Sequence, residues 1–260
     1  MDIARLEGEA IAGRFRLGEL IGEGGYGAVF RAVQLSVDRP CALKILAPKL
    51  VSDDHTVERF RIEAQTTSRL THPNTVVLYD FGQDEEHDVL FLAMELLEGD
   101  SLGELLDREG PLGVAETSAI VEQAAGSLQE AHRAGMVHRD VKPHNIMLVA
   151  RGEDRRFVKV IDFGIAKALQ AETRLRRSLT QTGMMIGTPT YMAPEQIRAS
   201  EVTAQTDQYA LATCAYRMLA GRAPFENGSS MEIASRHLTE SPMPLRSYRP
   251  QLEVSEGVEN

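Results

Sequence analysis

The chain has 260 residues, 43% hydrophobic and 25% charged, which suffices for a large core or two lobes and excludes a disordered chain. Its 38 acidic and 28 basic residues give a net charge of -10, which excludes a nucleic-acid binder that relies on counterion release and reads as a charge that aids solubility. Cys41 and Cys214 lie far apart without metal-type spacing, the N-terminus lacks a signal peptide's pattern, and no stretch is long and apolar enough to span a bilayer, so a cytoplasmic segment is expected, with a membrane anchor beyond residue 260 left open.

Three strands are predicted between Phe15 and about Leu46, from F-R-L-G-E-L-I, A-V-F-R-A-V and C-A-L-K-I-L. Between the first two stands Gly22-Glu23-Gly24-Gly25-Tyr26-Gly27, with Val29 after it. Dinucleotide folds share this G-x-G-x-x-G spacing, but there the glycines open a helix. Here a β-branched and aromatic strand follows, so the glycines belong to a hairpin. Such a hairpin lets backbone N–H groups approach phosphates without a Cβ in the way, and a flexible turn is the plain alternative. Lys44 interrupts an apolar strand, so it either faces solvent or needs a charged partner. A helix is predicted over 53–70, with Phe60, Ala64 and Leu70 among its apolar positions, and His72-Pro73 stops it. Glu58 and Glu63 lie on that helix.

Residues 76–80 and 89–96 are predicted strands, and the acidic turn from Asp84 to Asp88 reads as a solvated hairpin. Glu95-Leu96-Leu97-Glu98-Gly99 breaks the strand pattern, and Ser101-Leu102-Gly103-Glu104 is a capping box opening a short helix. Ile120, Ala124, Leu128 and Ala131 share one face of a helix predicted over 114–134 and closed by Gly135. A helix from Thr206 to Leu219 is apolar nearly all round and therefore buried, with Asp207 expected to cap it and Gly221 to end it.

The chemistry concentrates in V-H-R-D-V-K-P-H-N-I-M-L, from Val137 to Leu148. Asp140 can take a proton from a hydroxyl, Lys142 can neutralise a phosphoryl group, and the Asn145 amide oxygen can ligate Mg2+. Alone, H-R-D is a chance-level tripeptide and Asp140 a turn cap. H-R-D-x-K-x-x-N is more specific, and Asp162-Phe163-Gly164 follows 17 residues after Asn145, across two predicted strands. A polar stretch, R-L-R-R-S-L-T-Q-T, then leads into G-T-P-T-Y-M-A-P-E, residues 187–195.

These motifs, in this order over 15 to about 240, resemble the eukaryotic-like (Hanks-type) Ser/Thr protein kinase catalytic domain, closest to its bacterial members. The resemblance implies an α+β bilobal fold, with ATP in the cleft. The N-lobe, 1–97, would hold five strands and one helix, and the mainly helical C-lobe, 98–260, would carry the catalytic and activation loops. It implies nucleotide contacts at Ile21, Gly22, Gly24, Gly27, Val29, Ala42, Lys44, Met94, Glu95, Leu97, Asn145 and Met147. Lys44 would pair with Glu63 (Glu58 is the alternative), Asp140 and Lys142 would act on the acceptor and the γ-phosphoryl, and Asn145 and Asp162 would hold Mg2+, or Mn2+. Asp207 would also anchor the catalytic-loop backbone, while His138 would be structural, beside Phe163. Lys142 with Thr188 points to Ser/Thr acceptors in proteins, and Ser178, Thr180 and Thr182 are candidate regulatory phosphorylation sites. Self-association for autophosphorylation is an expected partner mode, with no nucleic acid. An ATP-binding pseudokinase predicts a lost Lys, Asp or Asn, and a small-molecule phosphotransferase predicts a missing A-P-E segment. In the family the A-P-E glutamate pairs with a late arginine; none follows Pro250, so a base left open, with C-terminal helices missing and Glu195 unpaired, is expected.

Overall fold

The computed structural model describes residues 3–24, 27–46, 54–163 and 189–252. They fall into two compact units, the first running to Thr71 with Thr75–Glu98, and the second formed by His72–Asn74, Gly99–Phe163 and the described residues from 189 on.

The first unit is a six-stranded antiparallel sheet with one helix. Its strands are β1 (Ala10–Ile11), β2 (Phe15–Gly24), β3 (Gly27–Gln34), β4 (Arg39–Leu46), β5 (Leu78–Asp84) and β6 (Val89–Met94), in the order β1-β2-β3-β4-β6-β5. The five-strand expectation is corrected by β1, a two-residue strand added at the β2 edge. Too short to give a periodic signal, it is fixed by burial: Leu6 and Ile11 enter the same core as Phe15, Phe30, Leu43, Ile45 and Phe91. Every residue of β6 is buried, as expected for a strand flanked by β4 and β5. Each large apolar side chain removed from water there contributes about 1.5–3 kcal/mol. Helix α1 (Asp54–Thr67) puts Phe60 and Ala64 inside, with Phe60 edge-on to Phe81 at 6.3 Å between centroids.

The acidic turn after β5 is not simply solvated. Asp84 is buried, and its carboxylate accepts from Ala12 N at 2.7 Å, Glu86 N at 2.9 Å and His87 N at 3.1 Å, with His87 Nδ1 at 2.9 Å. Burial works against its charge, but the bonds from Ala12 and His87 outweigh it and hold its pKa below the ordinary value. The N-terminal segment is thereby tied to the β5–β6 turn.

The second unit holds α2 (Leu102–Glu109), α3 (Val114–Arg133), a three-stranded sheet of β7 (Gly99–Ser101), β8 (Ile146–Arg151) and β9 (Asp154–Val160), then α4 (Pro194–Ile197), α5 (Ala204–Ala220) and α6 (Ser230–Thr239). Ser101 and Glu104 close the predicted capping box on α2. Helix α3 buries Ile120, Ala124, Leu128 and Ala131, the predicted stripe. Thr203, not Asp207, caps α5, and Gly221 ends it in the left-handed conformation at φ 77°. The His72-Pro73 stop has a further role. His72 N donates to Glu130 on α3, while Asn74 Nδ2 donates to Gln123 and to the Val158 carbonyl. Glu195 has a partner, contrary to expectation: it accepts from the Thr206 hydroxyl at 2.5 Å. Near the end of the described chain, Arg249 donates to the carbonyls of Leu112 and Leu219 at 2.7 and 3.0 Å.

Candidate active site

In the first unit, strand register gathers the predicted nucleotide-contact residues. Gly22 pairs with Val29, Val29 with Lys44, and Ala42 with Met94. Paired residues share a face and alternate residues along a strand return to it, so Val29, Ala42, Lys44 and Met94 line one face of the sheet. Ile21, at the irregularity between Leu20 and Gly22 on β2, is exposed. The glycines divide by cause. A Cβ on Gly27 would sit 1.9 Å from the Ile45 carbonyl, so strand packing alone requires glycine there. At Gly24 a Cβ would meet nothing within 4 Å, and at Gly22 only Val29 at 3.9 Å. Packing within the fold does not by itself require glycine at those two positions. After β6, Glu95 N donates to Val77 O at 2.9 Å and the Glu95 carboxylate takes Val77 N at 2.8 Å. Leu97 follows, half-buried. Glu63 lies half-buried on α1, and no ion pair joins it to Lys44 among the described residues.

In the second unit the H-R-D loop is built on a buried carboxylate. Asp207, 1% exposed, accepts from His138 N at 2.8 Å and Arg139 N at 2.9 Å, and its Oδ2 lies 2.7 Å from His132 Nε2. The anchoring part of the Asp207 reading therefore holds. Arg139 is thereby held at φ 65°, a conformation costly for a side-chain-bearing residue. His138 is fully buried, 4.7 Å from the Phe163 ring, with Nε2 at 2.9 Å from Ile161 O and Nδ1 taking Asp140 N at 3.2 Å. These bonds leave His138 structural, as expected, with Nε2 as the donor.

Around Asp140, Lys142 Nζ stands 3.1 Å from Oδ2. Asn145 Nδ2 donates to the Asp140 carbonyl at 2.8 Å and to Oδ2 at 3.1 Å. With the amide nitrogen so spent, the Asn145 amide oxygen is the atom left for a cation. Ile161 N donates to the Asn145 backbone carbonyl at 3.0 Å, and Asp162, at φ 57°, is the next residue along. A carboxylate and an amide oxygen are a hard donor pair, which fits Mg2+ or Mn2+. Met147 on β8 pairs with Lys159 and with Ser101.

The structure adds residues that the sequence reading missed. Gln196 Nε2 donates to the Arg139 carbonyl at 2.9 Å while its Oε1 takes Ala193 N at 3.1 Å, linking the A-P-E segment to the catalytic loop. Arg217 on α5 donates to the Tyr191 hydroxyl at 2.8 Å and to Asp107 on α2 at 2.5 Å. Burial pushes the Tyr191 phenol up to about 12, with Arg217 opposing the rise. Only the polar residue types at 196 and 217 signal these contacts in the sequence. Gly164, Ser178, Thr180, Thr182 and Thr188 lie outside the described residues.

The fold and these two residue sets define a protein kinase domain: the protein kinase domain family model matches residues 15–257, and the chain belongs to that family. It is similar to bacterial members. It is 46% identical over 252 residues to serine/threonine-protein kinase pkn3 of Myxococcus xanthus, covering 97% of this chain and 46% of that protein. It is 40% identical over 241 residues to serine/threonine-protein kinase PknA of Mycobacterium tuberculosis, covering 92% of this chain and 54% of the relative. The chain thus spans about half the length of these curated relatives. The crystal structure of the M. tuberculosis PknI kinase domain superposes with a TM-score of 0.71 at 29% identity, covering 94% of this chain and 84% of that one.

Proposed function

We propose that the chain is the catalytic domain of a Ser/Thr protein kinase that transfers the ATP γ-phosphoryl to hydroxyls of proteins. The observation that carries this reading is the Asp140 cluster. One carboxylate is held by a lysine at 3.1 Å and an asparagine at 3.1 Å, on a backbone fixed from below by Asp207. Asp140 orients the acceptor hydroxyl and takes its proton. Lys142, already at Oδ2, stabilises charge on the transferring group. Asn145 and Asp162 would hold a divalent cation, which when bound neutralises phosphate charge. Residues 1–97 form the nucleotide-binding lobe in this reading, and 98–260 the catalytic lobe. Gly22 and Gly24 admit phosphates to the backbone, with Gly27 closing the hairpin beside them, Lys44 holds the phosphates, and Glu63 pairs with Lys44 in the active state. Ile21, Val29, Ala42, Met94 and Met147 provide apolar contact for the base, with the Glu95 carbonyl and Leu97 N–H at its edge. The relatives' names support Ser/Thr acceptors.

Phosphorylation of Thr180, Thr182 or Ser178 regulates the enzyme, because an added phosphate can order the loop through Arg139, next to the catalytic acid. Self-association allows one copy to phosphorylate another. The cytoplasm is the proposed compartment, supported by free, buried cysteines at 41 and 214; no helix among the described residues is long and apolar enough to cross a membrane. Offering the protein Mg-ATP with a protein mixture, or with small alcohols and sugars, tests the acceptor class. Phosphoserine or phosphothreonine in the proteins alone is expected. Transfer only to small molecules, or nucleotide binding with no transfer, would refute it.

A further inference from the structure

Arg217 on α5 carries its charge at a largely buried position, with 18% of its side chain exposed. Its Nη1 donates to the Tyr191 hydroxyl at 2.8 Å. Burial keeps that phenol protonated, so the bond leaves the guanidinium charge unmatched. The match comes from Asp107 on α2, whose Oδ1 accepts from Nη2 at 2.5 Å. The Asp107 side chain is 65% exposed, and among the described residues its Oδ2 accepts no bond. A guanidinium fork can hold both oxygens of a carboxylate; here it holds one, on a group that water reaches. Exposed pairs of this kind contribute little stability, so another carboxylate can take the place of Asp107.

The position of this pair matters. Asp107 lies one helical turn, about 6 Å, beyond Gly103 on the same face of α2. A Cβ on Gly103 would come 2.9 Å from the His144 ring, so that ring lies against this face. His144 is exposed and stands four residues after Asp140 in the H-R-D-V-K-P-H-N run. On the other side, Tyr191 leads into A-P-E, and Gln196 bonds the Arg139 carbonyl. The Asp107–Arg217 pair therefore adjoins both stretches that flank Asp140.

We infer that Arg217 is a specificity-determining residue: its guanidinium, released from Asp107, takes the carboxylate of an Asp or Glu close in sequence to the acceptor hydroxyl. This deepens the kinase reading and rests on it. Asp107 is then an internal stand-in for the substrate's acid. The bland alternative is a tie between α2, α5 and the Tyr191 turn with no part in binding. The two differ at Asp107, because removing it weakens a tie but opens a subsite.

The test uses the whole chain with Mg-ATP and a neutral, alanine-rich peptide holding a single Ser. One Glu is walked along the positions on either side of the hydroxyl, with Gln at the same position as the control. At one or two adjacent positions Glu should give a KM about tenfold below that of Gln, as expected of a charge-assisted bond that displaces an exposed pair. Asp107→Asn should lower the Glu-peptide KM by about a further threefold, with the Gln-peptide and ATP KM unchanged. Arg217→Gln should bring the two peptides to equal KM, and Arg217→Lys should keep part of the preference. Asp107→Asn alters an exposed residue, and it covers the case in which the Arg217 variants do not fold. The assignment is overturned if the parent prefers Glu at no position, if Arg217→Gln keeps the preference, or if Asp107→Asn fails to lower the Glu-peptide KM. Absence of transfer by the parent protein to any acceptor would instead indict the kinase reading.

Discussion

Removing the Asp207 carboxylate should both destabilise the protein and disarm it. In Asp207→Ala the buried N–H of His138 and the half-buried N–H of Arg139 lose their acceptor, and so does His132. An unsatisfied buried donor costs about 1–3 kcal/mol, so two backbone donors give a loss of at most about 2–6 kcal/mol, part of which water reaching the half-buried Arg139 recovers. Arg139 is also released from φ 65°, and a relaxing backbone moves Asp140 next to it. Asp207→Asn keeps the shape but turns an amide NH2 toward one of these donors, so it should be nearly as harmful. Urea unfolding gives the stability change, and transfer to a peptide at saturating Mg-ATP gives kcat. The reasoning is refuted if Asp207→Ala unfolds within about 1 kcal/mol of the parent, well below the expected loss, and keeps its kcat.

Asp84 should set part of the acid limit of stability. Its folded pKa is depressed, so its contribution is present above the ordinary carboxylate pKa of about 3.9 and is lost as pH falls through the folded value. Asp84→Ala should lower stability near neutrality by about 2–4 kcal/mol and flatten the acid limb of the unfolding curve, and an unchanged limb would contradict this. The Thr180→Ala/Thr182→Ala double variant should transfer phosphate more slowly than the parent, and equal rates would exclude a switch at these two sites.

Motif order made the catalytic loop legible, because Asp140, Lys142 and Asn145 are close in sequence and the loop brings them together over a few residues. The strand row of Val29, Ala42 and Lys44 follows from alternation once the register is known. The rest depends on long-range contacts that leave no local period. Asp207 reads as a cap because a carboxylate near a helix start usually is one. Its contacts with His138 and Arg139 span 69 and 68 residues. Asp84 reads as a solvated turn residue because its partner Ala12 is 72 residues away. Gln196 and Arg217 are unremarkable polar positions on helices until their bonds to the Arg139 carbonyl and the Tyr191 hydroxyl are seen.

Asp140→Asn tests the central claim most directly. The amide cannot take a proton but leaves the residues assigned to ATP in place. A thermal shift on adding Mg-ATP should therefore survive in the variant, while peptide phosphorylation falls by about a hundredfold or more, the usual contribution of a general base. Undiminished transfer by Asp140→Asn would contradict the assignment of Asp140, and with it the reading of the cluster built around it.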